Sequence, residues 1–228
     1  MINMYKYEMH IHNSGCSACG KSTVQEMIDA AREKGYSGIV FTNHFYGGNT
    51  GIDRTLPWVD FVGEYEKSYN EARAYAEQFD FDVLFGIEEG LGGGKEALIY
   101  GLSPEIIAAA PEFPNMNKYQ KSDFVRQGGG IIVCAHPYRN RSYISDPDTD
   151  PDPALFDGVE VYNEHNSEDE NNRAMAFAER HGLIKISGGD HHIAERLGAS
   201  GIAFKTRIRN NKELVEALKS GEYSLITG

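Results

Sequence analysis

Short runs rich in β-branched and aromatic residues alternate along this chain with segments whose apolar positions recur every three to four residues. The first kind predicts strands at residues 5–11, 38–42, 82–87, 97–100, 130–134, 158–161, 184–187, 202–206 and 223–226. The second predicts helices. One carries Val24, Met27, Ile28 and Ala31 on a single face, and Thr23 and Glu26 at its start have capping-box spacing. A longer one carries Trp58, Phe61, Val62, Tyr65, Tyr69, Ala72, Ala76 and Phe79. Others cover roughly 118–127, 171–181 and 212–219, the last with Leu214, Val215 and Leu218 inward. Strand followed by helix, repeated, is the signature of a largely parallel α/β sheet or barrel. No composition shift marks a linker and no internal repeat is visible, so residues 1–228 read as one domain.

Composition narrows the function classes. The 228 residues include 22 Lys and Arg against 34 Asp and Glu, a net charge of −12. Such an acidic chain is not expected to bind duplex nucleic acid, whose phosphates need clustered cations. The opening residues 1–10 have no basic segment followed by an apolar one, so no signal peptide is expected. The apolar runs are too short to span a bilayer, so no membrane partner is expected. Three cysteines cannot all pair internally, and Cys16 and Cys19 are only three residues apart, which fits reduced thiols in the cytoplasm. Nothing in the sequence sets the oligomeric state.

The histidines carry the chemistry. His10, His12, His44, His136, His165, His191 and His192 all fall at or just beyond the C-terminal end of a predicted strand. Only His181 lies elsewhere, near a helix C-terminus where a cation suits the dipole. Glu88 ends another strand and Asp190 precedes His191. In a parallel barrel those ends share one face, so residues distant in sequence converge on one mouth. Imidazole and carboxylate together are a ligand set for zinc, manganese or iron. Alternate strand residues face the same way, so His10 and His12 can reach one ion.

The motif order His10-Ile-His12, Thr42-Asn-His44, Gly86-Ile-Glu88, Ala135-His-Pro137 and Gly189-Asp-His-His192 resembles the PHP (polymerase and histidinol phosphatase) family. Glu160-Val-Tyr-Asn163 and Cys134-Ala-His-Pro-Tyr-Arg139 are similar to its later strand ends, and the likeness runs from about residue 8 to 192. The resemblance implies a distorted (β/α)7 TIM-like barrel, two or three divalent metal ions (Zn, Mn or Fe) at its mouth, and metal-dependent phosphoester hydrolysis of small phosphorylated substrates. It implies one metal on His10, His12, Glu88 and Asp190, a second on His44 and His192, and a third shared by Glu88 and His136. The chain departs from the pattern at Asn43, where the family commonly has Asp, at Cys19, a thiolate in place of an Asp or His ligand, and at Glu96, an oxygen ligand in place of His.

Two such metals would lower the pKa of a water to about 7 and neutralise phosphoryl charge. Arg139, three residues after His136, is expected to clamp a phosphate oxygen, its other reading being an ion pair with the acidic loop at 146–153. That loop starts with calcium-like Asp-x-Asp-x-Asp spacing, but Pro151 and Asp157 stand where Gly and bidentate Glu are needed. His191 or His165 would protonate the leaving group, and Lys21, Asn163 or Ser22 would touch substrate. Two other functions compete. Amide or lactone hydrolysis uses similar strand-end histidines, though the usual carbamylated Lys has no counterpart. Gly15-Cys-Ser-Ala-Cys-Gly20-Lys21-Ser22 also matches the P-loop pattern of a nucleotide-binding protein, but no later strand supplies its Asp. The C-x-x-C of Cys16 and Cys19 has redox spacing, Cys134 reads as core, and Gly90–Gly94 reads as a flexible rim loop.

Overall fold

The computed structural model describes residues 4–228; Met1, Ile2 and Asn3, the start of the stretch read above for a leader, lie outside the described residues. Nine strands form: β1 (Tyr5–Ile11), β2 (Gly38–Phe41), β3 (Asp82–Gly92), β4 (Lys95–Tyr100), β5 (Ile131–Cys134), β6 (Gly158–Asn163), β7 (Ile184–Gly188), β8 (Ser200–Phe204) and β9 (Tyr223–Thr227). Six α-helices accompany them: α1 (Val24–Glu33), α2 (Trp58–Ala76), α3 (Pro104–Ala108), α4 (Lys118–Gln127), α5 (Glu168–His181) and α6 (Asn211–Ser220). The capping box at Thr23 and Glu26 is formed, and two more start α4 at Asn117 and α5 at Ser167. The last explains why α5 opens at Glu168, three residues before its expected start. Among the described residues no helix is long and apolar enough to cross a membrane.

The strands lie in the order β7-β6-β5-β4-β3-β2-β1-β8-β9. Neighbours β1–β2–β3 are parallel, as are β5–β6–β7. The sheet curls until β7 meets β1: His12 N donates to His191 O at 2.8 Å, and Gly189 N donates to the buried Glu8 carboxylate at 2.8 Å. Ser187 Oγ donates to Ile226 O, which seals the same seam against β9. The result is a distorted, nearly closed barrel. Met9, Val40, Leu84, Leu98, Val133 and Ile186, from six different strands, pack into one cluster inside it, with Leu214, Val215 and Leu218 of α6 against them. Outside, α1 and α2 cover β2 and β3 with the stripes seen in the sequence.

The regular βα repeat breaks at β4. It runs antiparallel to both β3 and β5, because β3 continues past Glu88 to Gly92 and returns through a tight turn at Gly93 and Gly94. Gly92, Gly93 and Gly94 all have positive φ, which glycine alone adopts without strain. The expected rim loop at 90–94 is therefore mostly strand and hairpin turn. Antiparallel β8 and β9 complete the departure from a strict (β/α)7 repeat. Reversal of β4 has one functional effect: its N-terminal end, with Glu96, lies at the rim where the parallel strands end.

Candidate metal centre

At that rim the ends of β1, β2, β5 and β7 and the middle of β3 bring together His10, His12, His44, Glu88, His136, Asp190 and His192, and β4 adds Glu96. Four overlapping groups have ligand atoms within 4.8 Å of one another: His10 with His12 and Glu88, His10 with His136 and Asp190, His12 with His44 and His192, and His44 with Glu88 and Glu96. Glu88 is the hub. Its Oε1 lies 3.2 Å from both His10 Nε2 and His136 Nε2, and its Oε2 lies 2.8 Å from His44 Nδ1. Asp190 Oδ1 is 3.1 Å from His12 Nε2 and 3.4 Å from His10 Nε2.

Hydrogen bonds behind the cluster decide which nitrogens face it. Ser17 Oγ donates to Asn43 Oδ1 at 3.1 Å and accepts from His44 N at 3.0 Å. Its hydrogen is thus spent, so His12 Nδ1, 3.0 Å away, must donate to it. Similarly Glu160, fully buried, accepts from His10 Nδ1 at 2.8 Å. Both rings then aim Nε2 at one point, 3.1 Å apart with two carboxylates alongside: that of neutral His12 is a bare lone pair, and that of His10 carries a proton which a metal would displace. Acceptors gathered this way repel one another unless a cation lies among them. His44 Nδ1 and Glu88 Oε2 are moreover both buried, and although 2.8 Å apart they are not aligned for a hydrogen bond with each other or with any other group. The donor set fits divalent ions.

Backbone strain marks the same place. Among the described non-glycine residues only His136 and Asp190 have positive φ, 28° and 53°. Such conformations cost about 1–3 kcal/mol each and persist where the surroundings impose them. Both residues belong to the cluster.

Charge is arranged to match. Burial opposes ionisation of Glu88 and Asp190, but His10 with His44, and His10 with Arg139, outweigh it and hold both carboxyls well below their ordinary range. Burial brings His12 down to about 3, so its ring is neutral. Burial also works against a charged His10 and His44, yet the carboxylates facing them raise both above the usual histidine range. A metal entering here therefore displaces protons.

The remaining sequence candidates separate. Arg139 is buried at the site, but not against the acidic loop: Nη1 bonds Asp190 Oδ2 at 2.5 Å, Nη2 bonds Asn163 Oδ1 at 2.9 Å and Nε bonds Asn166 Oδ1 at 3.0 Å. Arg173 and Arg180 hold that loop instead, through Asp148 and Asp150. Asn163 is buried and also bonds Glu160. Burial opposes ionisation of Cys19, but the neighbouring His192 and His44 rings bring its thiol down to about 6. It stands beside the four ligand groups, outside their shared points. Cys16 is buried and unpaired, its thiol raised to about 12 by burial, so the C-x-x-C is no disulfide.

His191 corrects the reading of it as the acid. Its ring is fully buried and faces away from the mouth, toward Ser200 Oγ at 3.3 Å and Glu164 Oε2 at 3.4 Å. Period-2 alternation explains this: His192 faces the cluster, so its neighbour faces the scaffold. His165 and Lys21 are exposed and lie outside the cavity beside the cluster, which Cys19, His44, Asn49, Gly94, Glu96, Arg139, Tyr143, Asp190 and His192 line. The P-loop reading fails too. A phosphate cradle needs free backbone N–H groups, whereas those of Ser14, Gly15, Ser17, Ala18, Gly20 and Lys21 all donate within the chain. Ser22 Oγ accepts from Ala194 N.

Glu8, Ser17 and Glu160 were missed as site residues. Glu8 Oε1 accepts from Met9 N, His10 N and Gly189 N, and its Oε2 accepts from Ser200 Oγ, which fixes β1 against β7 beneath the cluster. Asn43, the departure from the family's Asp, still serves as an acceptor for Ser17 and Asn13 N.

Comparison with known proteins extends the geometry. Residues 168–223 match a family model described as PHP-associated. No curated protein matches the sequence. Among solved structures, a two-domain protein from Bacteroides vulgatus containing a predicted PHP-like metal-dependent phosphoesterase superposes with TM-score 0.72 at 17% identity, over 99% of this chain and 65% of that one. The chain thus spans about two thirds of that protein's length. A protein from Bifidobacterium adolescentis, whose metal-dependent phosphoesterase assignment is itself inferred, gives 0.59 at 16% identity, covering 96% and 97%. An amidohydrolase from Chromobacterium violaceum, with bound sulfate and no metal, gives 0.61 at 17%, covering 93% and 96%. At such identities the likeness establishes the fold.

Proposed function

We propose that this chain, a PHP-type protein by its fold and its C-terminal segment, is a metal-dependent phosphoesterase acting on small phosphorylated substrates. One observation carries the reading: a cavity of about 390 Å³ is lined by His44, Asp190 and His192 of the ligand cluster together with Glu96 and Arg139. That volume suits a small molecule. Divalent ions held by His10, His12, His44, Glu88, His136, Asp190 and His192 would supply an acidified water and neutralise phosphoryl charge.

The chain's own groups do the rest. Glu160 and Ser17 fix the tautomers of His10 and His12, which keeps both Nε2 atoms available. Arg139 holds Asp190 in its strained conformation and retains two N–H groups for a phosphate oxygen. With His191 turned into the scaffold, the proton for the leaving group comes from solvent or from a group at the cavity wall.

The test is metal analysis of the purified protein coupled to a screen of phosphorylated metabolites and an aryl phosphate. Near-stoichiometric divalent metal and hydrolysis abolished by His136→Ala or Asp190→Ala are expected; unchanged activity in either variant would sink the assignment. The amidohydrolase neighbour keeps amide or lactone hydrolysis as a second reading. No Lys lines the cavity beside the ligand groups, which disfavours it. A panel of amides and lactones beside the phosphates separates the two.

A further inference from the structure

Tyr143 is one of four large hydrophobic side chains strongly exposed among the described residues, at 58%, and it alone of these lines the metal-site cavity. Its position is fixed from both sides. Ile144, next in the chain, is buried, and Ile144 N closes a turn onto Arg141 O at 3.0 Å. Ser145 N then donates to Gly93 O at 3.0 Å, tying the loop to the β3–β4 hairpin. The approach is so close that a Cβ on Gly94 would lie 2.5 Å from Tyr143 O. The exposed ring is therefore presented at the mouth by an anchored loop, on the wall that Arg139 shares.

A single exposed aromatic is ordinary on a protein surface, so what distinguishes Tyr143 is its place in the lining of this cavity. With a phosphoryl group held at the ligand cluster, a cavity of about 390 Å³ would have room for one further small moiety against this lining. Resting on the phosphoesterase reading, we propose that Tyr143 determines specificity by stacking on a planar ring in the alcohol portion of the substrate. The substrate class is then a phosphate ester of an aromatic or heterocyclic alcohol, a nucleoside included. Stacking tolerates any flat π-face, so the preference is for planarity and not for one ring.

Benzyl phosphate and cyclohexylmethyl phosphate test this, because their leaving groups match in reactivity and differ in planarity. The kcat/KM ratio is expected to favour the benzyl ester roughly tenfold in the wild type, to fall toward one in Tyr143→Ala, and to survive in Tyr143→Phe. Gly94→Ala, which displaces the loop without altering the ring, is expected to lower the ratio too. Binding of the two corresponding phosphonates to metal-loaded protein, measured by calorimetry, reads the same preference without turnover. A ratio near one in the wild type, or one untouched by Tyr143→Ala, overturns the inference. A ring preference in phosphonate binding with no ester hydrolysed would uphold it and overturn the phosphoesterase reading alone.

Discussion

Replacement of Glu160 by Gln removes one charge and no volume, and its consequences follow from three bonds. The carboxylate accepts from His10 Nδ1 at 2.8 Å, His136 N at 2.9 Å and Asn163 Nδ2 at 3.0 Å, all in a fully buried setting. Glutamine offers one acceptor and one donor in their place. With its oxygen toward His10, its NH2 confronts two donors, His136 N–H and the Asn163 amide. Turning Asn163 over is no remedy, because its Oδ1 already accepts from Arg139 and His165 N. With its NH2 toward His10, the imidazole must give up its Nδ1 hydrogen and keep one on Nε2, the atom that faces His12, Glu88 and Asp190. The first arrangement strands buried donors, at about 1–3 kcal/mol each. The second removes a ligand lone pair. Metal affinity should fall about 10- to 100-fold, equivalent to roughly 1.4–2.7 kcal/mol. The metal-free protein should melt several degrees lower, at about 2–4 °C per kcal/mol for a chain of this size. Competition with a chromogenic chelator measures the first and thermal unfolding the second. An affinity within twofold of wild type, at an unchanged melting temperature, would show that Glu160 does not set the His10 tautomer.

Because the carboxylates around His10 and His44 raise both above the usual histidine range, these rings hold protons at neutral pH in the metal-free chain. Metal affinity should therefore rise with pH, and calorimetry in buffers of different ionisation enthalpy should show proton release; pH-independent affinity would contradict this. Arg139→Lys keeps a cation near Asp190 but forfeits the bonds to Asn163 and Asn166, so affinity should drop and stability fall by about 1–3 kcal/mol. Arg139→Ala, which leaves Asp190 buried without its partner, should cost about 3–5 kcal/mol in chemical denaturation. Burial lowers His191 to about 4 against an ordinary value near 6.5, so the unfolded chain binds more protons between those values. Its contribution is fully present above pH 6.5 and lost as pH falls toward 4, on the order of 3 kcal/mol across that window. His191→Gln should flatten this part of the stability profile, and an unchanged slope would refute the assignment. Gly20→Ala would set a Cβ 2.3 Å from Asn13 O, so the loop bearing Ser17 and Cys19 must shift; a melting temperature equal to wild type would mean the loop is looser than its bonds suggest.

Periodicity and residue type settled much of this molecule before folding was considered. Nine apolar, β-branched runs became nine strands, since each is bounded by turn residues and too short for anything else. Thr23 and Glu26 fixed the start of α1 because a cap acts over one turn and needs no distant partner. The convergence of His10, His12, His44, Glu88, His136, Asp190 and His192 was legible because parallel strands carry their C-terminal residues to one rim whatever the details of the loops. What only the tertiary structure decided is direction and depth. Whether β4 returns antiparallel depended on three glycines at positive φ, and that reversal alone brought Glu96 to the rim. Glu8 and Glu160 look like ordinary polar positions in alternating strands; closure of the sheet on itself turned them inward to become the supports of β1 and His10. The same alternation, one residue out of phase, sent His191 into the scaffold while His192 joined the cluster. Local pattern names the groups that can do chemistry. Which face of the barrel each one meets is set by long-range closure, whose hydrogen bonds span more than a hundred residues and leave no local trace.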